Sequence, residues 1–188
     1  MINYKEIYEK SFDDQKYNQH PDNEFRFKIV EDFVLSNKTN SVIDIGSGRG
    51  NIIKMLGNLG LPIHITSTDL KKFHDYNCDF YEINLCDDST FSYLGNNKYE
   101  LLTCLDVMEH VEHECVDKIL HFFSKISKNA ILTIANHSDI QNGVELHVIQ
   151  ENMSFWKPKL EEYFDIIGFD EKYSGRLYLL TLKSKNND

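Results

Sequence analysis

The chain of 188 residues is poor in the residues that staple or break a protein: three prolines, one tryptophan and four cysteines. Cys78, Cys86, Cys104 and Cys115 lack the close paired spacing of a zinc knuckle. No apolar run is long enough to span a membrane and no signal-peptide pattern is read, so reduced thiols and a cytoplasmic location are expected. Cys104 stands in an apolar, strand-like run and is expected to be a packing residue. Positive charge is also scarce. Lys and Arg number 20 against 30 Asp and Glu, a formal charge of −10. That balance argues against a nucleic-acid partner, whose phosphates are met by Lys and Arg. Lys71 with Lys72, and Lys183 with Lys185, are isolated groups that read as solvated surface.

What the sequence does have is apolar mass, 41% hydrophobic and 12% aromatic, spread from Tyr4 to Leu182. This composition predicts one globular domain over residues 1–188, folding without a metal or disulfide staple. Residues 1–36 read as an N-terminal helical cap. Within it, Asp22 is a candidate cap for a helix carrying Phe25, Ile29, Val30 and Phe33 at helical spacing. Tyr4, Ile7, Tyr8 and Phe12 make a weaker helical pattern, and Asp13 to Pro21 a loop or lid.

Strand-like and helix-like segments then alternate, which predicts an α/β fold: a doubly wound, mostly parallel sheet with helices on both faces. Strands are predicted at Ser41 to Ile45, Ile63 to Thr68, Phe80 to Leu85, Tyr99 to Leu105 and Ala130 to Ala135. A helix is predicted over Val111 to Ile126, and another around Trp156 and Leu160 with Pro158 confined to its first turn. Asn136 to Gly143 reads as a polar loop. Phe164 to Asp170 and Arg176 to Leu182, flanking Lys172-Tyr173-Ser174-Gly175, read as a closing antiparallel hairpin.

The strongest local signal is Val42-Ile43-Asp44-Ile45-Gly46-Ser47-Gly48-Arg49-Gly50, a strand running into a glycine turn. Glycines here let the main chain approach a bound nucleoside without a Cβ clash. A dinucleotide fingerprint would need its third glycine at position 51, which is Asn51, and no Lys-Ser or Lys-Thr pair follows to make a P-loop. Asp69, at the end of the second strand, offers two acceptor oxygens to the vicinal hydroxyls of a ribose; its bland alternative is a cap on a following helix. Asp44, a carboxylate inside an apolar strand, needs a partner. His110, Glu112, His113 and Glu114 lack the spacing of a His-Glu-x-x-His site, and no metal is expected.

With Asp44, Gly46, Gly48, Gly50 and Asp69 in order, and with Leu101 to Val111 reading LLTCLDVMEHV, the chain resembles the class I S-adenosylmethionine-dependent methyltransferases. The resemblance implies a seven-stranded Rossmann-like sheet, with S-adenosyl-L-methionine bound and S-adenosyl-L-homocysteine left as product. The implied cofactor contacts are Asp44, Gly46, Ser47, Gly48, Gly50, Asp69, Leu70, Leu105 and Asp106, with Asp87 favoured over Asn84 for the adenine. It also puts the Glu109-His110 pair at the mouth of the acceptor site. His110 and His147 are candidate bases for a hydroxyl acceptor, and a structural role for His110 stays equally open. Leu146-His147, followed by Trp156, is similar to small methyltransferases of bacterial surface-sugar clusters or phages. The expected activity is methyl transfer to a small-molecule or glycan-precursor acceptor. The alternatives are other chemistry on the same cofactor or a non-catalytic regulatory module.

Overall fold

The computed structural model describes residues 6–7, 10, 23–94, 98–141 and 143–186. The candidate cap Asp22, the residues Tyr4, Tyr8 and Phe12, and the loop Asp13 to Pro21 lie outside them. The described elements are helices α1 (Asn23–Asn37), α2 (Asn51–Asn58), α3 (Val116–Ile126) and α4 (Met153–Tyr163). The strands are β1 (Ser41–Ile45), β2 (His64–Asp69), β3 (Asp79–Glu82), β4 (Tyr99–Leu105), β5 (Ser127–Ala135), β6 (Ile140–Gln141), β7 (Val144–Glu145), β8 (Phe164–Lys172) and β9 (Leu177–Ser184).

Seven strands make one sheet in the order β3-β2-β1-β4-β5-β9-β8. The first five are mutually parallel, and β9 runs antiparallel to both β5 and β8. Central parallel strands are covered on both faces, which is why β1, β4 and β5 place apolar residues on both sides of the sheet and are buried along most of their length. The period of two then sorts their side chains. Val42, Leu101 and Ile131 meet Val30 and Val34 of α1 and Ile52 and Leu56 of α2. Ile43, Ile45, Leu102, Cys104 and Leu132 face the other way, onto α3 and onto Trp156 and Leu160 of α4. Cys104 is fully buried, as its run predicts.

Three features depart from the sequence reading. Pro158 is not in the first turn of its helix. Asn152 caps α4 by accepting from the Ser154 amide at 2.8 Å, which starts the helix at Met153 and leaves Pro158 in its interior. The helix tolerates it because Trp156 and Leu160, both fully buried, hold the turn against the core. Second, Cys86 and Cys115 are joined by a disulfide rather than standing as free thiols, tying the segment after β3 to the start of α3. Third, the polar loop after β5 contains the small β6–β7 hairpin. Among the described residues no helix is long and apolar enough to cross a membrane.

Candidate functional site

The order of the sheet changes direction between β1 and β4, so their connections leave on opposite faces and open a crevice at the carboxyl ends of the strands. The glycine turn after β1 sits there. Gly46 has φ 68°, and a Cβ on it would come within 2.3 Å of Val107 Cγ2, so the turn admits no side chain at this point. Gly50 has φ 73° and delivers the chain into α2, its Cα face closed by Tyr76 and His74. The Ser47 amide donates to the Thr68 carbonyl at 2.9 Å, which fastens the turn to the end of β2. The Ser47 hydroxyl is buried with no partner.

Asp69 stands opposite. Its Oδ2 accepts from the Gly48 amide at 2.8 Å and its Oδ1 from the Leu70 amide at 2.7 Å. No helix follows β2 for it to cap. Burial raises its pKa from 3.8 to about 6, against the lowering pull of those two amides. Asp44 lies deeper, 3% exposed, and accepts from the Thr103 hydroxyl at 2.7 Å. Burial, the largest cause, lifts its pKa to about 7; the Thr103 bond opposes this and the Asp69 charge adds to it.

At the end of β4, Asp106 adopts a left-handed backbone with φ 55°, a conformation unusual outside glycine. It is held on all sides. Its amide donates to the Thr133 carbonyl, its Oδ1 accepts from the Thr133 hydroxyl at 2.7 Å, and its Oδ2 pairs with Arg26 Nη1 at 3.0 Å. Arg26 thus brings α1 across to the crevice. The sequence gives no local sign of this, because the pairing spans the length from α1 to β4.

The comparisons with known proteins bear on this geometry. No protein-family model matches the chain. Its sequence is 26% identical over 161 residues to MJ0638, an uncharacterized protein of Methanocaldococcus jannaschii; the match takes in 82% of this chain and 63% of that protein. Among solved structures, the N-methyltransferase NodS of Bradyrhizobium japonicum WM9, in complex with S-adenosyl-L-homocysteine, superimposes with a TM-score of 0.67 at 9% identity, covering 97% of this chain and 98% of that one. An S-adenosylmethionine-dependent methyltransferase of Clostridium acetobutylicum matches with a TM-score of 0.67 at 12% identity, covering 97% and 99%. The fold is that of the class I methyltransferases.

On this methyltransferase fold the residues singled out in the sequence fall into two groups. Asp44 lies in β1, Gly46, Ser47, Gly48 and Gly50 in the turn after it, and Asp69 and Leu70 at and just past the end of β2, with Leu105 and Asp106 at and just past the end of β4. Asp87 lies in the connection after β3, where its Oδ1 accepts from the Ser89 amide and hydroxyl and so starts a short 3₁₀ turn, Asp88–Leu94. Asn84 is likewise turned toward the backbone, accepting from the Cys86 amide at 3.0 Å.

The second group gathers where the turn after β4 meets the loop after β5. Glu109 is fully buried instead of lying at a mouth, and its Oε1 accepts from the Ala135 amide at 3.0 Å. Its Oε2 is buried without a partner. His110 and His147 meet edge to face with ring centroids 4.7 Å apart. His110 Nδ1 lies 2.9 Å from the Leu146 carbonyl oxygen, and His147 Nδ1 bonds the His137 carbonyl oxygen. A carbonyl only accepts, so each Nδ1 carries the proton and each Nε2 the lone pair. Burial, helped by the neighbouring His147, pushes the His110 pKa down to about 4, and burial also lowers that of His147. Both rings are therefore neutral near pH 7. The loop that presents His147 is ordered by Glu145, which accepts from the Ser138 hydroxyl and the Asp139 and His147 amides and whose pKa falls to about 2, chiefly through the Ser138 bond. Glu145 carries no signal in the sequence beyond being one acid among many.

Proposed function

We propose that the chain is an S-adenosylmethionine-dependent methyltransferase acting on a small-molecule or sugar-type acceptor. The observation that carries the reading is the 2.8 Å bond from the Gly48 amide to Asp69, which makes the glycine turn and the ribose-binding acid one prebuilt unit. The donors and acceptors fit a charged nucleoside. Asp69 keeps lone pairs beyond the two amides it accepts from, enough for two ribose hydroxyls. The buried Ser47 hydroxyl, without a protein partner, suits the polar end of the methionine part. Asp44 orders the turn from beneath through Thr103. Asp87 supplies the polar edge for the adenine.

S-adenosylmethionine, when bound, supplies a methyl group already activated by its sulfonium. The protein's work is then to align the acceptor and exclude water. Asp106, pinned by Thr133 and Arg26, limits the crevice on one side, and the His110–His147 pair limits the acceptor side. With depressed basicity, these two imidazoles are neutral near pH 7 and present the lone pairs of Nε2 rather than carrying a proton away.

The test is calorimetric titration with S-adenosylmethionine and S-adenosylhomocysteine, with NAD as the control nucleotide. Saturable binding of the two sulfur nucleotides and none of NAD is expected. Failure of both to bind a folded protein removes the enzyme reading.

A further inference from the structure

Glu109 and the two histidines ask for an occupant that the nucleotide pocket does not explain. A carboxylate oxygen of Glu109, a ring nitrogen of His110 and a ring nitrogen of His147 lie within 4.8 Å of one another. Glu109 is 0% exposed, and one of its two oxygens has no partner at all. A buried carboxylate with an orphaned oxygen is expensive unless a cation or a donor meets it. Burial first, and then the Asp106 charge, push the Glu109 carboxyl well above its usual range, against the lowering pull of the Ala135 amide and of Arg26, so its charged form lacks compensation until a cation meets it.

The imidazoles have the arrangement of ligands. Metal-binding histidines characteristically donate their second ring N–H to a backbone carbonyl, which fixes the tautomer and turns the lone pair of the other nitrogen toward the ion. Both histidines do this here, one to Leu146 and one to His137. Their frame is also rigid. The Ile149 amide donates to the Glu109 carbonyl at 2.9 Å, and the Ala135 amide to its carboxylate. The turn after β4 and the loop after β5 are thus locked together around the three groups.

We propose that Glu109, His110 and His147 form a divalent-cation site beside the nucleotide pocket, and that the ion holds an acceptor through its oxygen atoms. Two imidazoles and one carboxylate suit a borderline ion, Mn²⁺, Fe²⁺, Co²⁺ or Zn²⁺, better than Mg²⁺ or Ca²⁺, which prefer all-oxygen shells. Bonds of about 2.0–2.2 Å place neighbouring ligand atoms about 3–3.5 Å apart, so side chains now within 4.8 Å of one another close by at most about 1.3–1.8 Å on the ion. Three protein ligands leave positions open. An acceptor hydroxyl in one of them has its acidity raised by the cation, which supplies what imidazoles of low basicity do not. The sequence spacing argues against a site within His110 to Glu114; Glu109 and His110 find their third ligand instead in the loop after β5, which only the fold brings near. The role given to the ion rests on the methyltransferase reading, but the site itself does not.

The experiment uses the full chain without a histidine tag, stripped with chelator, dialysed and titrated with Co²⁺, read by visible absorption and calorimetry. Saturation at one ion per chain is expected, with a spectrum lacking thiolate charge transfer. Glu109→Gln and His147→Gln should each weaken binding at least tenfold while leaving S-adenosylhomocysteine affinity within about twofold, which also reports that they are folded. Cys86→Ser should bind Co²⁺ as the wild type does. No saturable binding by a wild-type protein that binds S-adenosylhomocysteine overturns the site, as does full Co²⁺ affinity in a folded Glu109→Gln. Co²⁺ binding without S-adenosylhomocysteine binding supports the site and removes the methyl-transfer reading.

Discussion

Replacing Asp69 with Asn separates two effects of one buried charge. In the wild type, ionised Asp69 is held in a site that raises its pKa from 3.8 to about 6, a shift of about two units. Keeping it charged near pH 7 therefore destabilises the folded state by about 3 kcal/mol relative to the neutral form, at about 1.4 kcal/mol per unit. Asp69→Asn removes that penalty and loses the acceptor for either Gly48 or Leu70, a charge-assisted bond of about 1.5–3 kcal/mol. The two nearly cancel, so the unliganded variant should unfold within about 1.5 kcal/mol of the wild type at pH 7. Nucleotide affinity has no such compensation and should fall by about 1.5–3 kcal/mol, some 10- to 150-fold. The pH dependence follows with a definite sign. The folded state binds the Asp69 proton more tightly than the unfolded chain, so this group's stabilisation is full below pH 3.8 and is lost as pH rises through about 6. Buried His110, lowered to about 4, works oppositely: its contribution is present above 6.5 and is lost as pH falls toward 4. Wild-type curves mix the two, but the stability difference between wild type and Asp69→Asn isolates the acid and should grow in favour of the wild type from pH 7 to 4.5. Denaturant unfolding at several pH values and titration with S-adenosylhomocysteine measure both. An affinity within twofold of wild type in a folded variant refutes the role of Asp69, and a flat stability difference refutes its buried charge.

Gly46→Ala should destabilise by at least about 2 kcal/mol, from the left-handed backbone and the 2.3 Å approach to Val107, with Val107→Ala recovering part of it in denaturant melts. Pro158→Ala restores a backbone N–H to the interior of α4, where it can bond the Ser154 carbonyl, and should stabilise by about 1–3 kcal/mol; an unchanged or lower melting temperature would count against an intact helix there. Under non-reducing conditions Cys86→Ser should lower stability by about 2–4 kcal/mol through loss of a crosslink spanning 29 residues, and only the wild type should respond to a reductant.

The parts of the molecule legible in the sequence are those whose signals are local. Strand, glycine turn and helix from Ser41 onward announce themselves within a few residues, and Tyr99 to Leu105 has the bounds its apolar run predicts. The Val111 to Ile126 helix begins late because Val111 and Glu112 are extended and a 3₁₀ turn intervenes, so α3 starts at Val116. What stayed hidden depends on distance along the chain. Nothing near Cys86 indicates Cys115, nothing near Arg26 indicates Asp106, and Glu109 reads as the exposed half of a Glu-His pair until Ala135 closes over it. Pro158 lies deeper in its helix than its propensity indicates for a different reason: the propensity against an interior proline is real, and the burial of Trp156 and Leu160 overrides it.

The position of β9 bears on how the molecule is made. Its residues are the last of the sheet to be synthesised, yet they lie between β5 and β8 rather than at a rim. Until 177–184 emerge from the ribosome, the growing polypeptide carries Ile131 to Ala135 as an open, apolar strand edge, a template for pairing with a neighbouring copy. Completion of the sheet must wait for these residues, and in that interval a holding chaperone has most to protect.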